Sequence, residues 1–278
     1  MTVLVGICCQ EGVLIGADSA MTTEAGFQQR TVEETGVIKV ETHFNEIISA
    51  TTGPIGLAQR FRHELETMLQ GQELRKYKTG SPIVYATEVS RRALENFRKT
   101  LSPQQQHLQF GIGLGALMAF VCGNSAHLVE FDHLQFHPEL KGETSTDGRQ
   151  KTRPYVTMGG GQIMADPFIA HVKRILFGND VIPKLSEGRL LVAWTLRHVV
   201  LLSPGGVGGD MQIQALEKVD GKWAAHAVDV GEIQQQVDDI EKYLGRYWAS
   251  IAQESVPDLK EQLNAPPPNT PDGHSLSQ

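Results

Sequence analysis

The apolar positions of this chain follow two periods, one typical of strands and one typical of helices. The strand-like runs of the first part of the chain lie at 3–9, 13–17, 36–40 and 46–50. Apolar residues then recur at every third or fourth position from about 54 to 72 and from 81 to 100. This spacing predicts two amphipathic helices after the first set of strands.

The rest of the chain repeats the order of strands followed by helices. Near-continuous apolar runs predict strands at 114–122, 126–131 and 153–158, and the polar segment from about 133 to 152 is expected to form an exposed loop. Further elements are predicted as helices at 163–177 and 187–202, strands at 211–218 and 223–228, and an amphipathic helix at 230–253. We therefore expect one domain at 1–254, followed by a disordered tail at 255–278 that is rich in Pro, Gln, Asn and Ser.

The turn between the first two runs determines which residues share a face. Residues 10–12 are interpreted as a three-residue hairpin loop that ends in a glycine. The register that follows places Leu4 opposite Asp18 and Thr2 opposite Ala20. Residues two apart on a strand project to the same face, so Thr2 and Asp18 would be diagonal neighbours roughly 7 Å apart. That gap suits a lysine ammonium lying between them.

Two further residues can approach the same place. Lys39 lies in the next predicted strand, from which its ammonium can reach Asp18. Gly53 and Pro54 follow the fourth run, and Pro54 suits the first turn of a helix. The N–H of Gly53 would then lie at a helix N-terminus, where it can stabilise a developing oxyanion.

Thr2 supplies the candidate nucleophile. It directly follows Met1, and a small residue in this position commonly leads to removal of the methionine. Removal would leave a hydroxyl and a free α-amine on one residue, which is the minimal apparatus of an N-terminal-nucleophile hydrolase. An unperturbed α-amine titrates at roughly 7.7–8.0. A positive Lys39 beside the amine would lower that pKa, and Asp18 would keep Lys39 charged and oriented.

These residues carry a resemblance to a known family. The stretch Thr2-Val-Leu-Val-Gly-Ile and the later Gly-Ala-Asp18-Ser resemble the opening of proteasome β-type subunits, a group that includes the bacterial ATP-dependent threonine protease and bacterial proteasome-like homologues. The resemblance covers roughly residues 2 to 250. It implies that Thr2 is the nucleophile, that Asp18 and Lys39 support it, and that Gly53 contributes to the oxyanion hole.

The resemblance also implies an architecture and a mode of action. The expected fold is α+β, a four-layer αββα sandwich of two antiparallel sheets. The expected activity is hydrolysis of peptide bonds in peptides or unfolded proteins, inside a homo-oligomeric ring that an ATP-dependent unfoldase could feed. Candidate substrate-binding residues beside the scissile bond are Met21, Thr22, Val37, Thr51 and Ile55.

Two positions depart from the family pattern. Family members usually have Gly-Ser-Gly ahead of the third helix, where the serine supports the threonine amine. This chain has Gly160 in the serine position. A later glycine-rich loop ends at Asp210, which resembles the Gly-Asp that opens the next strand in the bacterial protease. Gly160 and Asp210 are therefore candidates for residues that support the catalytic residues without contacting the substrate.

Composition restricts the class of protein. The formal net charge of −7 argues against a dedicated nucleic-acid binder, and no run of 18 apolar residues predicts a membrane span. The three cysteines include the adjacent pair Cys8 and Cys9, so we expect a cytoplasmic protein without a disulfide framework. We expect no leader peptide, because its cleavage would discard Thr2.

Other motifs carry weaker alternatives. The ten histidines show no metal-ligand spacing, and His133 and His137 lie in a Pro-containing loop, so neither a metal nor another cofactor is expected. Residues 159–161 lack the full glycine pattern of a dinucleotide site, and residues 123–127 lack the closing glycine of a nucleophile elbow. Cys8 is expected to be an inert core residue.

Three alternative functions from other classes remain open at this point. One is a proteasome-like assembly without useful proteolysis, since Gly160 removes a supporting hydroxyl. The second is an amidase that acts on a small molecule. The third, a non-catalytic α-type subunit, is disfavoured because such subunits carry an extension before the first strand.

Overall fold

The structure is a computed structural model that describes residues 2–25, 29–34, 36–100, 112–143, 152–178, 181–203 and 206–255. The chain divides into two compact units, residues 1–235 and 236–278. The strands of the first unit are β1 (Leu4–Cys8), β2 (Gly12–Ala17), β3 (Met21–Ala25), β4 (Gln29–Glu34), β5 (Val40–His43), β6 (Ile47–Thr52), β7 (Gly115–Cys122), β8 (Ser125–Phe131), β9 (Pro138–Lys141), β10 (Tyr155–Met158), β11 (Gln212–Val219) and β12 (Lys222–Ala227).

Five helices accompany these strands in the described residues. They are α1 (Ile55–Gln70), α2 (Pro82–Thr100), α3 (Gln162–Phe177), α4 (Leu185–Leu202) and α5 (Val230–Ser255). The predicted helices all form, with ends within a few residues of those expected. Helix α5 begins in the first unit, and the described part of the second unit is its continuation from Gln236 to Ser255. The predicted tail at 255–278 lies almost entirely outside the described residues.

The first unit is built from two five-stranded antiparallel sheets. One sheet has the order β10-β1-β2-β11-β12, and the other has the order β5-β6-β7-β8-β9. Helices α3 and α4 pack on the first sheet, and α1 and α2 pack on the second. The two sheets pack face to face, so the layers follow the order helices, sheet, sheet, helices. The predicted αββα sandwich is confirmed.

The sheets form two hydrophobic layers because their strands are apolar on both faces. On β6, Ile48 lies in the core between the sheets, whereas Ile47 lies in the core beneath α1 and α2. On β7, Leu117 likewise lies in the core between the sheets, and Met118 lies in the core beneath α1 and α2. The period of two therefore explains why these strands appear as continuous apolar runs in the sequence.

Two pairings were missed because their sequences carry little apolar alternation. Strands β3 and β4 form a separate two-stranded hairpin between Ala20 and Gly36, a segment in which the sequence predicts no strand. Strand β9 pairs with β8 inside the segment 133–152, which was also expected to be a loop. The run at 36–40 is not a strand as a whole, because β5 begins only at Val40.

The predicted register of the first hairpin is wrong by one residue. Cys9 and Gly12 exchange backbone hydrogen bonds of 2.8 and 3.4 Å, so the turn contains two residues rather than three. Cys8 is therefore paired with Val13, and Leu4 is opposite Ala17 instead of Asp18. Continued pairing would place Val3 opposite Asp18. Strand β2 ends at Ala17, however, so strand alternation does not fix the direction of the Asp18 side chain.

Candidate active site

The carboxylate of Asp18 is the buried centre of the candidate site. Asp18 is fully buried, and its two oxygens accept four hydrogen bonds. Oδ1 accepts the backbone N–H of Val3 and the ammonium of Lys39, each at 2.9 Å. Oδ2 accepts the N–H groups of Ala20 at 3.3 Å and Gly208 at 3.2 Å. All the acceptor positions of the carboxylate are thus used, as a buried charge requires.

Lys39 is held beside this carboxylate at the entrance to β5. Its side chain is 9% exposed, and its ammonium forms an ion pair with Asp18 at 2.9 Å. Burial lowers the pKa of Lys39, and the charge and hydrogen bond of Asp18 oppose this effect. Lys39 lies in the irregular segment before β5, not on a strand as predicted. The predicted contact between Lys39 and Asp18 is nevertheless present in the structure.

Backbone contacts fix the position of Thr2. It is half-buried, and the N–H of the next residue, Val3, is the group that binds Asp18. Its carbonyl oxygen accepts the N–H of Gly161 at 3.1 Å. A Cβ on Gly159 would lie 2.3 Å from that same carbonyl oxygen and 3.1 Å from Oγ1 of Thr52. Gly159 has a φ of +86°, so this close approach and the backbone conformation both require glycine.

Gly53 lies between the end of β6 and the start of α1. Its φ is +122°, and a Cβ there would lie 2.2 Å from the carbonyl oxygen of Gly113. Pro54 is the N-cap of α1, and its carbonyl accepts the N–H groups of Leu57 and Ala58. Gly53 therefore precedes a helix N-terminus, as expected. It is exposed, and its neighbour Thr52 approaches Gly159 next to Thr2.

The predicted substrate-binding residues belong to several different elements. Met21 is half-buried at the start of β3, and Thr22 follows it on the same strand. Thr51 is half-buried on β6, whereas Ile55 is 52% exposed at the first position of α1. Val37 is half-buried, and its N–H donates to the carbonyl of Ser19 at 3.0 Å. The side chain of Thr22 lies outside the described part of the molecule.

The two residues that depart from the family pattern have different surroundings. Gly160 lies in the turn between β10 and α3, flanked by the two glycines that contact the Thr2 carbonyl. Asp210 is exposed and lies two residues before β11. The described contacts of the site connect Gly208, rather than Asp210, to Asp18.

Three residues that support the site were not predicted. Gln212 accepts the N–H groups of Lys39 and Val40 at 2.9 and 3.3 Å, and it donates to the carbonyl of Val37 at 2.6 Å. Gly208 binds Asp18, and its carbonyl accepts the N–H groups of residues 19 and 20. Ser19 is fully buried, and its hydroxyl accepts the N–H of Gly36 at 3.3 Å. These bonds fix the segment that carries Lys39 against the end of β2.

The cysteines of the first hairpin are poor nucleophiles. Burial raises the pKa of the Cys8 thiol to about 12, and burial together with neighbouring negative charge raises that of Cys9 as well. Both cysteines are free thiols. A thiol with so high a pKa carries very little thiolate at neutral pH, which is the reactive form.

Two further features of the described residues concern membrane spans and metal binding. No helix there is both long enough and apolar enough to cross a membrane. Within the same residues, no group of three or more His, Cys, Asp or Glu side chains is arranged to hold a metal ion.

Comparison with known proteins identifies the fold. No protein-family model and no curated protein sequence matches the chain. Among solved structures, it is similar to Anbu (ancestral beta-subunit) from Yersinia bercovieri, with a TM-score of 0.60 at 15% sequence identity. The match covers 92% of this chain and 98% of that chain. The chain therefore shares the four-layer fold of that β-subunit-like structure.

Proposed function

We propose that this protein is a threonine peptidase whose nucleophile is Thr2 after removal of Met1. The observation that carries the proposal is the buried pair of Asp18 and Lys39, joined through the N–H of Val3 to the backbone directly after Thr2. A solvated surface lysine would not need such a partner. A buried cation whose counter-ion also binds the backbone directly after a candidate nucleophile has a chemical role available to it.

The proposed reaction is hydrolysis of an amide through a covalent ester. The Thr2 hydroxyl oxygen bonds to the carbonyl carbon of the substrate, and its proton passes to the Thr2 α-amine, directly or through one water. The tetrahedral intermediate collapses, the C–N bond breaks, and the leaving amine takes that proton. Water then attacks the ester, again with the α-amine as base, and releases the acid and free Thr2.

The surrounding charges favour this reaction. The neutral α-amine is the active base, and the positive charge of Lys39 would lower the pKa of that amine. Asp18 keeps Lys39 charged, against the effect of burial on the pKa of the lysine. The N–H of Gly53 is proposed to bind the oxyanion, a role worth roughly 3 kcal/mol in comparable sites.

The proposed substrate is an extended peptide that adds as a strand beside the site. The backbone near Thr22 and Gly53 would supply the hydrogen bonds. Met21, Val37, Thr51 and Ile55 would contact the side chain that precedes the scissile bond. Because most of these residues are apolar, we expect a preference for hydrophobic substrate residues.

We also propose that the protein works as a homo-oligomeric ring with enclosed active sites in the cytoplasm. The similarity to an ancestral β-subunit supports this arrangement. So do the large apolar side chains that the outer helices expose, such as Ile163 at 81% and Ile175 at 62% on α3 and Leu201 at 67% on α4. Light scattering that detects only a monomer over a range of concentrations would contradict this part. An ATP-dependent unfoldase is proposed as a partner of such a ring.

One observation favours a second candidate, an assembly protein with weak or no proteolysis. Gly160 offers no hydroxyl to the Thr2 amine, although its two neighbours contact the Thr2 carbonyl. We therefore expect slow turnover of generic peptides. Gly160→Ser should raise the rate if the missing hydroxyl limits catalysis, and an unchanged rate would refute that explanation alone.

Hydrolysis of fluorogenic peptides by a matched set of variants tests the proposal. Thr2→Ala should abolish the activity, whereas Thr87→Ala, a change of the same type on the exposed face of α2, should leave it intact. Lys39→Met should lower kcat at least about 100-fold, because nucleophile and charge act as one unit. Equal rates for Thr2→Ala and the wild type would end the threonine-hydrolase proposal.

A further inference from the structure

One glutamine side chain links the two sheets beside the candidate site. Gln212 is the first residue of β11, where it lies opposite Ala17, the residue before Asp18. Its half-buried amide reaches the segment before β5, which belongs to the other sheet. Asp18 follows β2 in the first sheet and Lys39 precedes β5 in the second, so their ion pair joins the same two sheets. The amide and the ion pair are therefore two neighbouring links between the sheets.

The amide of Gln212 binds the backbone of that segment at three points. Its Oε1 accepts the N–H groups of Lys39 at 2.9 Å and Val40 at 3.3 Å, and its Nε2 donates to the carbonyl of Val37 at 2.6 Å. Backbone N–H groups can only donate, so these bonds also fix which atom of the amide is the oxygen. A side-chain amide thus supplies the hydrogen bonds that a neighbouring strand would otherwise supply.

The segment depends on this amide because it is irregular. Residues 36–39 lie before β5 and are not part of a strand. Ser19 binds the start of the segment: its hydroxyl accepts the N–H of Gly36 at 3.3 Å, and its carbonyl accepts that of Val37 at 3.0 Å. The backbone of Lys39 itself is bound by Gln212. Loss of the amide would therefore release the residue that carries the ammonium, while the start of the segment stays attached.

We infer that Gln212 is a positioning residue for the proposed reaction, because it holds the backbone of Lys39 where the ammonium can bind Asp18. Gln212 acts only through Lys39. This role rests on the proposed function, in which the positive charge of Lys39 lowers the pKa of the Thr2 α-amine. A released segment would let the ammonium move toward water, where its charge acts more weakly on that amine.

Gln214 provides a matched control on the same strand. It lies two residues further along β11, so its side chain projects to the same face as that of Gln212. It is also half-buried, and its Oε1 accepts the hydroxyl of Thr42 on β5 at 3.2 Å. Gln214→Met therefore removes a link between the same strands without touching the backbone of Lys39. Gln212→Met removes all three bonds, and Gln212→Asn keeps an amide that is one methylene shorter and falls out of hydrogen-bond range.

The pH profile of peptide hydrolysis is the first measurement. In Gln212→Met and Gln212→Asn, kcat for a fluorogenic peptide should fall at least about tenfold at pH 7, because small displacements of catalytic groups cost this much or more. The acid limb of the profile should also move to higher pH, because a more distant positive charge lowers the pKa of the Thr2 amine less. Gln214→Met should keep the wild-type kcat and the wild-type profile.

Amine labelling reports on Lys39 without any turnover. Acetic anhydride should modify Lys39 of the wild type slowly, because its side chain is 9% exposed and ion-paired. It should modify the exposed Lys222 quickly, so Lys222 serves as an internal standard. Peptide mass spectrometry gives the ratio of the two rates. Gln212→Met and Gln212→Asn should raise this ratio at least about threefold through local opening of the segment, and Gln214→Met should not.

The two measurements distinguish failure of this role from failure of the proposed function. If Lys39 labelling rises in the Gln212 variants but the wild type shows no hydrolysis that depends on Thr2, only the proposed function is contradicted. Lys39 that stays as slow to react as in the wild type would overturn the inference. So would a wild-type kcat and pH profile in a Gln212 variant of an active enzyme. Circular dichroism shows which variants are folded, and Gln212→Asn is the milder change if Gln212→Met unfolds the chain.

Discussion

Asp18→Asn should damage the protein more than any other conservative change at the candidate site. The substitution keeps the size of the side chain and removes its charge. Each carboxylate oxygen of Asp18 accepts two hydrogen bonds, one oxygen from Val3 and Lys39 and the other from Ala20 and Gly208. An asparagine has only one acceptor oxygen, so in either orientation its amide N–H₂ faces two donors.

The cost can be estimated from the buried ion pair. The side chain of Asp18 is 0% exposed and that of Lys39 is 9% exposed, so the substitution leaves a desolvated ammonium without its counter-charge. Removing one partner of a buried pair costs about 3–5 kcal/mol in free energy of unfolding. That is a large part of the roughly 5–15 kcal/mol that stabilises a typical domain. Lys39→Met should cost less, because three backbone N–H groups still compensate the carboxylate.

Urea unfolding followed by circular dichroism measures these differences. The matched control is Asp220→Asn, because Asp220 is exposed in the β11–β12 turn with a φ of 51°, a conformation that asparagine also tolerates. We expect stability to fall in the order Asp220→Asn, Lys39→Met, Asp18→Asn. If Asp18→Asn were within about 1 kcal/mol of the control, the carboxylate could not be the buried centre described here.

Three further predictions concern other parts of the site and the fold. Gly159→Ala should lower stability and abolish activity, because the new methyl group would displace Thr2. Gly221→Ala is the control: Gly221 has a similar φ of +77° but lies in open space, so this change should be only mildly destabilising. Equal effects of the two changes would refute the close approach of Gly159 to the Thr2 carbonyl. His43 is buried and hydrogen-bonded to Ser49, and burial lowers its pKa. The unfolded chain therefore takes up the proton first, so the free energy of unfolding should fall as the pH drops below about 6.5. Urea titrations at several pH values should show a smaller loss of stability in His43→Gln. Cys8 should resist iodoacetamide in the native protein and react after unfolding, as peptide mass spectrometry would show, because burial raises its pKa to about 12.

The residues with distinctive chemistry could be predicted from the sequence. Residue type and spacing indicate Thr2, Asp18 and Lys39, and the structure places the ammonium of Lys39 2.9 Å from Asp18. The register used to reach that prediction was wrong, because Gly12 is a strand residue and the turn contains only two residues. The error did not matter at Asp18, since β2 ends at Ala17 and the carboxylate reaches the N–H of Val3.

The supporting contacts could not be predicted in the same way. Gln212 holds Lys39 and Val37 from a strand that is far away in sequence, and a glutamine at a strand end carries no local signal. Gly208 belongs to a glycine-rich loop that the sequence makes visible, but its bond to Asp18 depends on tertiary placement. The β3–β4 hairpin was missed because polar strands lack the apolar alternation on which the prediction rests.

Intact mass spectrometry after incubation with a peptide epoxyketone tests the central claim most directly, because this reagent needs both the hydroxyl and the free α-amine of one residue. The account predicts a wild-type chain that has lost Met1 and carries one inhibitor on Thr2, and no adduct on Thr2→Ala. The Thr87→Ala control should be modified like the wild type. A wild-type chain that retains Met1 throughout, or that forms no adduct after losing it, would contradict the proposal that Thr2 is an N-terminal nucleophile.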